Sequence, residues 1–166
     1  MKDLTRRGAV KLSAGLTLAS SAAMFGAADA FEPPPQTVKQ GKRANIERYE
    51  LTPEIPGVPR LSWAVARGDM VYVSGVTANT AKLGDIKDQT LQVLERIDAL
   101  LAKAGTNKSN LLTAQVWLTD MSLFAAHNEA WNTWVDLKNP PARACLMSAQ
   151  LWSPGVLVEI MATAAR

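Results

Sequence analysis

The 166-residue chain has one cysteine, Cys145, and one histidine, His127. A lone cysteine cannot close a disulfide within the chain, so the fold does not lean on oxidation. One cysteine and one histidine are also too few to build a four-ligand zinc site. Neither a GxGxxG nor a phosphate-loop pattern occurs, so nothing in the sequence calls for a nucleotide, and no metal or organic cofactor is expected. A strong excess of one charge is missing too. The whole chain holds 18 Lys and Arg against 15 Asp and Glu. Residues 1–30 contribute Lys2, Arg6, Arg7 and Lys11 against Asp3 and Asp29, which leaves 14 basic and 13 acidic residues in the remainder. A near-neutral body gives no support to a nucleic-acid partner.

What is present is ordinary for a soluble domain: 48% hydrophobic and 20% charged residues, at a length that suits one domain. Residues 1–30 read as an export signal. A basic start leads into a run from Leu12 to Ala28 rich in Leu, Ala, Ser and Gly, and Ala28-Asp29-Ala30 is a small-x-small cleavage site. Cleavage after Ala30 would give a periplasmic protein beginning at Phe31. Thr5-Arg6-Arg7-Gly8-Ala9-Val10-Lys11 is similar to a twin-arginine signal, with Ala9 and Val10 in place of the usual Phe and Leu. The competing reading, a retained anchor, is disfavoured because the apolar run is short and rich in small residues, so no stable membrane anchor is expected. Residues 31–44, with Pro33-Pro34-Pro35, read as an extended linker, and 45–166 as the folded domain.

Within that domain Asn45 to Leu51 predicts a strand. Leu61 to Ala66 and Met70 to Ser74 predict a hairpin around Arg67-Gly68-Asp69, the second strand closing at Ser74-Gly75. Asp85 to Ala104 is the clearest helix: Ile86, Thr90, Val93, Leu94, Ile97, Leu100, Leu101 and Ala104 recur at three- and four-residue spacing, with Asp85 as cap and Gly105 as stop. Asn110 to Thr119 alternates, with Leu112, Ala114, Val116 and Leu118 on one face. Ser122 is the expected cap of a second helix, Leu123 to Leu137, whose apolar face includes His127. With no carboxylate or thiol placed beside it, His127 reads as a packed core or interface residue. The order predicts an α+β fold, a mixed or antiparallel sheet with two helices on one face. The other face stays largely apolar without helices to cover it, and self-association is the economical cover.

Two charges break the apolar pattern of the last two strands. Arg143 opens one and Glu159 sits in the middle of the other. An unpaired buried charge is costly, so the two are expected to approach each other or to share a polar pocket if their strands pair.

Six pieces of the domain carry a resemblance. They are Val71-Tyr72-Val73-Ser74-Gly75; Asp85-Ile86 with Gln89-Thr90; Val116-Trp117-Leu118-Thr119-Asp120-Met121; Phe124-Ala125-Ala126-His127-Asn128; Pro141-Ala142-Arg143-Ala144-Cys145; and Val158-Glu159-Ile160 with Ala162. In this order they resemble the RidA/YjgF/UK114 family of imine and enamine deaminases, also named endoribonuclease L-PSP. The resemblance implies a chorismate-mutase-like fold and a homotrimer with ligand pockets in the clefts between subunits. By position it implies that Arg143 binds the carboxylate of a 2-imino or 2-enamino acid and that Glu159 orients the attacking water. It implies that Ser74, Gly75 and Asn128 line the cleft, with the backbone at Cys145 facing water and substrate nitrogen. A planar guanidinium suits a carboxylate because it offers two parallel hydrogen bonds. Two departures stand out. Many family members read Tyr-Ser-Gln-Ala-Val where this chain reads Leu61-Ser62-Trp63-Ala64-Val65, so a hydroxyl is missing and Trp63 becomes a candidate ligand contact. About one extra residue also falls near Trp152-Ser153-Pro154. The expected activity is therefore hydrolytic deamination of imino or enamino acids. The alternatives are a non-catalytic trimer that binds a small carboxylate and, less favoured by the charge, an endoribonuclease.

Overall fold

The computed structural model describes residues 45–166. The expected export segment and linker lie outside the described residues. Six strands and two helices follow in the predicted order: β1 (Ile46–Leu51), β2 (Ser62–Arg67), β3 (Met70–Thr77), α1 (Ile86–Lys103), β4 (Leu111–Leu118), α2 (Phe124–Trp134), β5 (Ala142–Met147) and β6 (Val158–Ala165). The strands form one sheet in the order β1-β2-β3-β6-β4-β5. All neighbours are antiparallel except β4 and β5, which run parallel. A parallel pair needs a long crossover, and α2 supplies it.

The β2–β3 hairpin turns at Gly68, whose φ of 61° lies in the left-handed region that glycine enters without steric cost. Asp85 caps α1, its Oδ1 accepting from the backbone N–H of Lys87 (2.8 Å) and Asp88 (3.0 Å). Val93, Leu94, Ile97, Leu100 and Leu101 on α1 are almost wholly buried. They pack on Ala64, Val71, Val73, Val116, Val158, Ile160 and Ala162 of the sheet. Each such side chain contributes about 1.5–3 kcal/mol by leaving water. Strict alternation in β6 shows the result: Val158, Ile160, Ala162 and Ala164 face the helices, and Glu159, Met161, Thr163 and Ala165 point the other way.

Four local expectations are corrected. β3 does not close at Ser74-Gly75 but continues to Thr77 through a register shift between Val73 and Val76. In β4 a similar shift between Leu111 and Thr113 puts Leu111 in the core and leaves Leu112 exposed. The second helix is capped by neither Ser122 nor any other residue at its start. Instead Asp120 caps a 3-10 turn at Met121–Leu123 by accepting from Ser122 N–H (2.8 Å), and that turn runs on into α2. The helix also ends earlier, at Trp134, where Val135 turns extended ahead of Asn139-Pro140-Pro141.

The face opposite the helices is exposed and rich in apolar groups. Tyr72 is 46% exposed, Met161 39% and Leu146 51%. Register lines Glu159, Trp117 and Leu146 up across β6, β4 and β5 on this side.

Candidate functional site

The expected meeting of Arg143 and Glu159 within one chain does not occur. β5 and β6 do not pair, because each flanks β4 on a different side. Arg143 pairs with Ala114, whose side chain is buried under the helices, whereas Glu159 pairs with Trp117 and Thr77 on the other side of the sheet. The candidate residues therefore fall into two groups on opposite faces.

The first group lies between β5 and α2. Arg143 Nη2 sits 2.6 Å from His127 Nε2, and its guanidinium carbon lies 4.7 Å from the centre of the Trp131 ring. His127 is fully buried, with Nδ1 2.9 Å from Thr90 Oγ1. The Thr90 hydroxyl in turn donates to the Ile86 carbonyl at 2.7 Å, at the start of α1. Burial, reinforced by the Arg143 charge, holds the His127 pKa down at about 4, so the ring is neutral at pH 7. Burial also pushes Arg143 below its ordinary value, yet a guanidinium stays charged at neutral pH. Nε of Arg143 is buried with no partner, as is Oδ1 of Asn128, the residue after His127 on α2. Cys145 shares the Arg143 face of β5, paired with Val116. Burial pushes its thiol up, which keeps it protonated and unreactive.

The second group lies on the open face where β3 bulges. A Cβ built on Gly75 would overlap Glu159 Oε1 and stand 3.0 Å from Cδ, so the carboxyl lies directly against the Gly75 backbone. Only glycine permits that approach. Ser74 precedes it in the same irregular stretch of β3. Burial raises the Glu159 pKa above the ordinary carboxylate value. The carboxyl opens onto a hollow of about 280 Å³ bounded by Trp117, Ser148, Gln150, Leu151 and Trp152.

Two adjacent α1 residues serve the two groups separately. Thr90 holds His127 and through it Arg143. Gln89, also fully buried, donates to the carbonyls of Gly84 (3.1 Å) and Gly155 (2.9 Å) and accepts from Leu157 N–H (2.9 Å). That fixes the turn that leads into β6 and Glu159.

The sequence model of the family described as Endoribonuclease L-PSP matches residues 54–166. The chain belongs to the RidA/YjgF/UK114 family. A RutC family protein of Haemophilus influenzae is 43% identical over 102 residues, which cover 61% of this chain and 87% of that protein. The RutC family protein YoaB of Escherichia coli is 41% identical over 106 residues, covering 64% and 90%. A crystal structure of a YjgF family member from Neisseria meningitidis superposes with a TM-score of 0.67 at 32% identity, covering 75% of this chain and 97% of that one. The mixed sheet with two helices is thus the architecture of YjgF-family structures.

Of the departures from the RidA pattern, Trp152 borders the hollow at Glu159, whereas Leu61 and Trp63 do not. Leu61, just before β2, lines a shallow hollow with Arg48 and Arg60. Trp63 stands 5.7 Å from the Arg96 guanidinium and, with Thr77 and Trp152, borders a larger cleft of about 570 Å³ along α1. Trp152 is 68% exposed and donates its indole N–H to Thr77 Oγ1 at 2.9 Å, so it forms a wall common to this cleft and the hollow at Glu159. His127 is the packed core residue that the sequence predicts, fully buried, and neither a carboxylate nor a thiol contacts its ring nitrogens. Its partner is an arginine 16 positions later, and the signal available was only that both fall in family motifs.

Proposed function

We propose that this chain hydrolyses 2-imino and 2-enamino acids to the 2-oxo acid and ammonia, in pockets completed between subunits of a homotrimer. The observation that carries this reading is the division of the two groups. A fixed guanidinium on one sheet face and a raised-pKa carboxyl on the other are each half of a site, and a second copy is the simplest supplier of the missing half. The exposed Tyr72, Met161 and Leu146 give the open face a reason to associate. In a closed ring of heterologous contacts each cleft takes Arg143 from one subunit and Glu159 from the next.

Chemically, Arg143 binds the substrate carboxylate with paired charge-assisted hydrogen bonds. Arg143 Nε and Asn128 Oδ1 are buried polar atoms without partners, which a ligand could satisfy. Water adds to the C=N carbon while the imine nitrogen takes up a proton. The carbinolamine then collapses to C=O and expels ammonia. Glu159, whose pKa burial raises above the ordinary carboxylate value, receives a proton from the water and returns it to the nitrogen. One water enters and one ammonia leaves, so no oxidant or reductant is consumed. We further propose that residues 1–30 direct this activity to the periplasm.

The assay generates a panel of imino acids with an amino-acid oxidase and follows 2-oxo acid release. Loss of the guanidinium in Arg143→Ala removes two charge-assisted hydrogen bonds, each worth about 1.5–3 kcal/mol, so kcat/KM should fall by about 10²- to 10⁴-fold with folding retained. Undiminished activity in the variant refutes the assignment. Leu61, which removes a hydroxyl found in many relatives, favours the alternative of a non-catalytic carboxylate binder; tight binding of a 2-oxo acid with no turnover on any imino acid would decide for it.

A further inference from the structure

We infer that His127 is a positioning residue for the substrate-binding guanidinium, acting as a neutral hydrogen-bond acceptor held in one tautomer by Thr90. This rests on the reading of Arg143 as the carboxylate receptor.

The direction of each hydrogen bond follows from elementary chemistry. An arginine side chain has donors only, so at the 2.6 Å contact between Arg143 Nη2 and His127 Nε2 the ring nitrogen must accept. The ring proton then resides on Nδ1 and donates to Thr90 Oγ1, 2.9 Å away. The Thr90 hydroxyl spends its own proton on the Ile86 carbonyl at 2.7 Å. The result is a one-way chain from Arg143 through His127 and Thr90 to the first turn of α1. Nδ1–H is the less populated tautomer of free imidazole, so the site selects it. Trp131 covers one face of the guanidinium at 4.7 Å. Between ring face and ring nitrogen, the plane and the rotation of the guanidinium are both fixed. A flexible arginine would otherwise lose that freedom each time a ligand bound, and preorganisation removes the loss.

Packing alone does not explain the choice of residue. A core position at this depth is filled as well by Leu or Met, and His127 brings two polar atoms that both needed partners. The charged group facing the ring is Arg143 from β5; α1 presents Thr90 and the Ile86 carbonyl, and α2 presents Trp131.

The single histidine makes the test direct. Histidine labelled with ¹⁵N in the full chain should give at pH 7 one protonated nitrogen, Nδ1, and one bare acceptor nitrogen, Nε2. Arg143→Ala should shift the Nε2 resonance and let the tautomers mix. An Nε2–H ring, or an imidazolium, overturns the inference. In kinetics, His127→Leu keeps the volume and removes the acceptor. It should raise KM for a carboxylated imino acid by about 10- to 100-fold with kcat changed far less, the loss of one charge-assisted hydrogen bond. His127→Gln offers a carbonyl oxygen in place of Nε2 and should recover most of that loss. Equal losses in the two variants, or none in His127→Leu, overturn the positioning role. A chain with the Nδ1–H tautomer, sensitive to Arg143→Ala, but with no turnover on any imino acid refutes the deaminase reading while supporting the His127–Arg143 coupling.

Discussion

Protonation of His127 should destabilise this fold in mild acid. His127 has an ordinary pKa of 6.5 in the unfolded chain and one of about 4 when folded. Between those values the unfolded chain binds a proton that the folded chain refuses. Stability therefore rises with pH across this window: the contribution is complete above pH 6.5 and is lost as pH falls towards 4. At about 1.36 kcal/mol per pKa unit, the full loss is on the order of 3 kcal/mol. That is a large share of the roughly 5–15 kcal/mol that holds a typical domain together. Its physical origin is first the burial of the ring, which penalises a charge there, and then the Arg143 guanidinium 2.6 Å away, toward which the added proton would point. The assay is urea unfolding at fixed protein concentration, followed by the fluorescence of the five tryptophans, from pH 7 down to pH 4.5. His127→Gln is the reference, because it preserves an acceptor and cannot titrate. The carboxylates titrate in both proteins, including Glu47, which Arg166 and Tyr49 hold down at about 2, and so cancel in the difference. The wild type should lose about 2–3 kcal/mol more than His127→Gln over this interval. Parallel decline of the two proteins, or a histidine that titrates near 6.5 by NMR, would refute the reasoning.

Other outcomes follow from the same structure. Gly75→Ala drives a methyl into the Glu159 carboxyl, so it should cost about 1–3 kcal/mol in thermal unfolding and displace the proton-transfer group, abolishing most turnover while Arg143 still binds carboxylate. Asp85→Ala removes the side chain that caps two backbone N–H groups at the start of α1 and should cost about 1 kcal/mol in urea titration, with activity per folded molecule unchanged.

Local rules carried much of the fold. α1 was legible from end to end because Ile86, Val93, Leu94, Ile97, Leu100 and Leu101 repeat at helical spacing between a capping Asp85 and Gly105, whose φ is 82°. The hairpin was legible from Gly68. The misplaced details share one cause: an irregularity that periodicity cannot announce. Leu112 alternates correctly in the sequence, and the register shift beside it turns it out to solvent. Ser74-Gly75 reads as a strand end, and the chain instead bulges there and continues.

The site divided in the same way. Arg143 and Glu159 were conspicuous because charge is rare in apolar strands. Their separation was invisible, since strand order is a property of the whole sheet and the sequence holds no sign that β4 inserts between β5 and β6. His127 was legible as a packed residue, and only its contact with Arg143 was not. Its ring nitrogens meet Arg143 and Thr90 rather than a carboxylate or a thiol. The adjacent Gln89 and Thr90 looked like one motif, and three-dimensional packing sends one to the β6 turn and the other to the arginine side.

The central claim is that one pocket is assembled from two chains, and subunit complementation measures it directly. Arg143→Ala and Glu159→Gln proteins are prepared separately, shown to be folded and inactive, then unfolded together in equal amounts and refolded. In a ring whose clefts take Arg143 from one subunit and Glu159 from its neighbour, random assembly puts both intact residues together in about a quarter of the clefts. About a quarter of wild-type deaminase activity is expected from two inactive parents. A refolded mixture of trimers that stays as inactive as either parent, beside an active wild-type control treated identically, would contradict it.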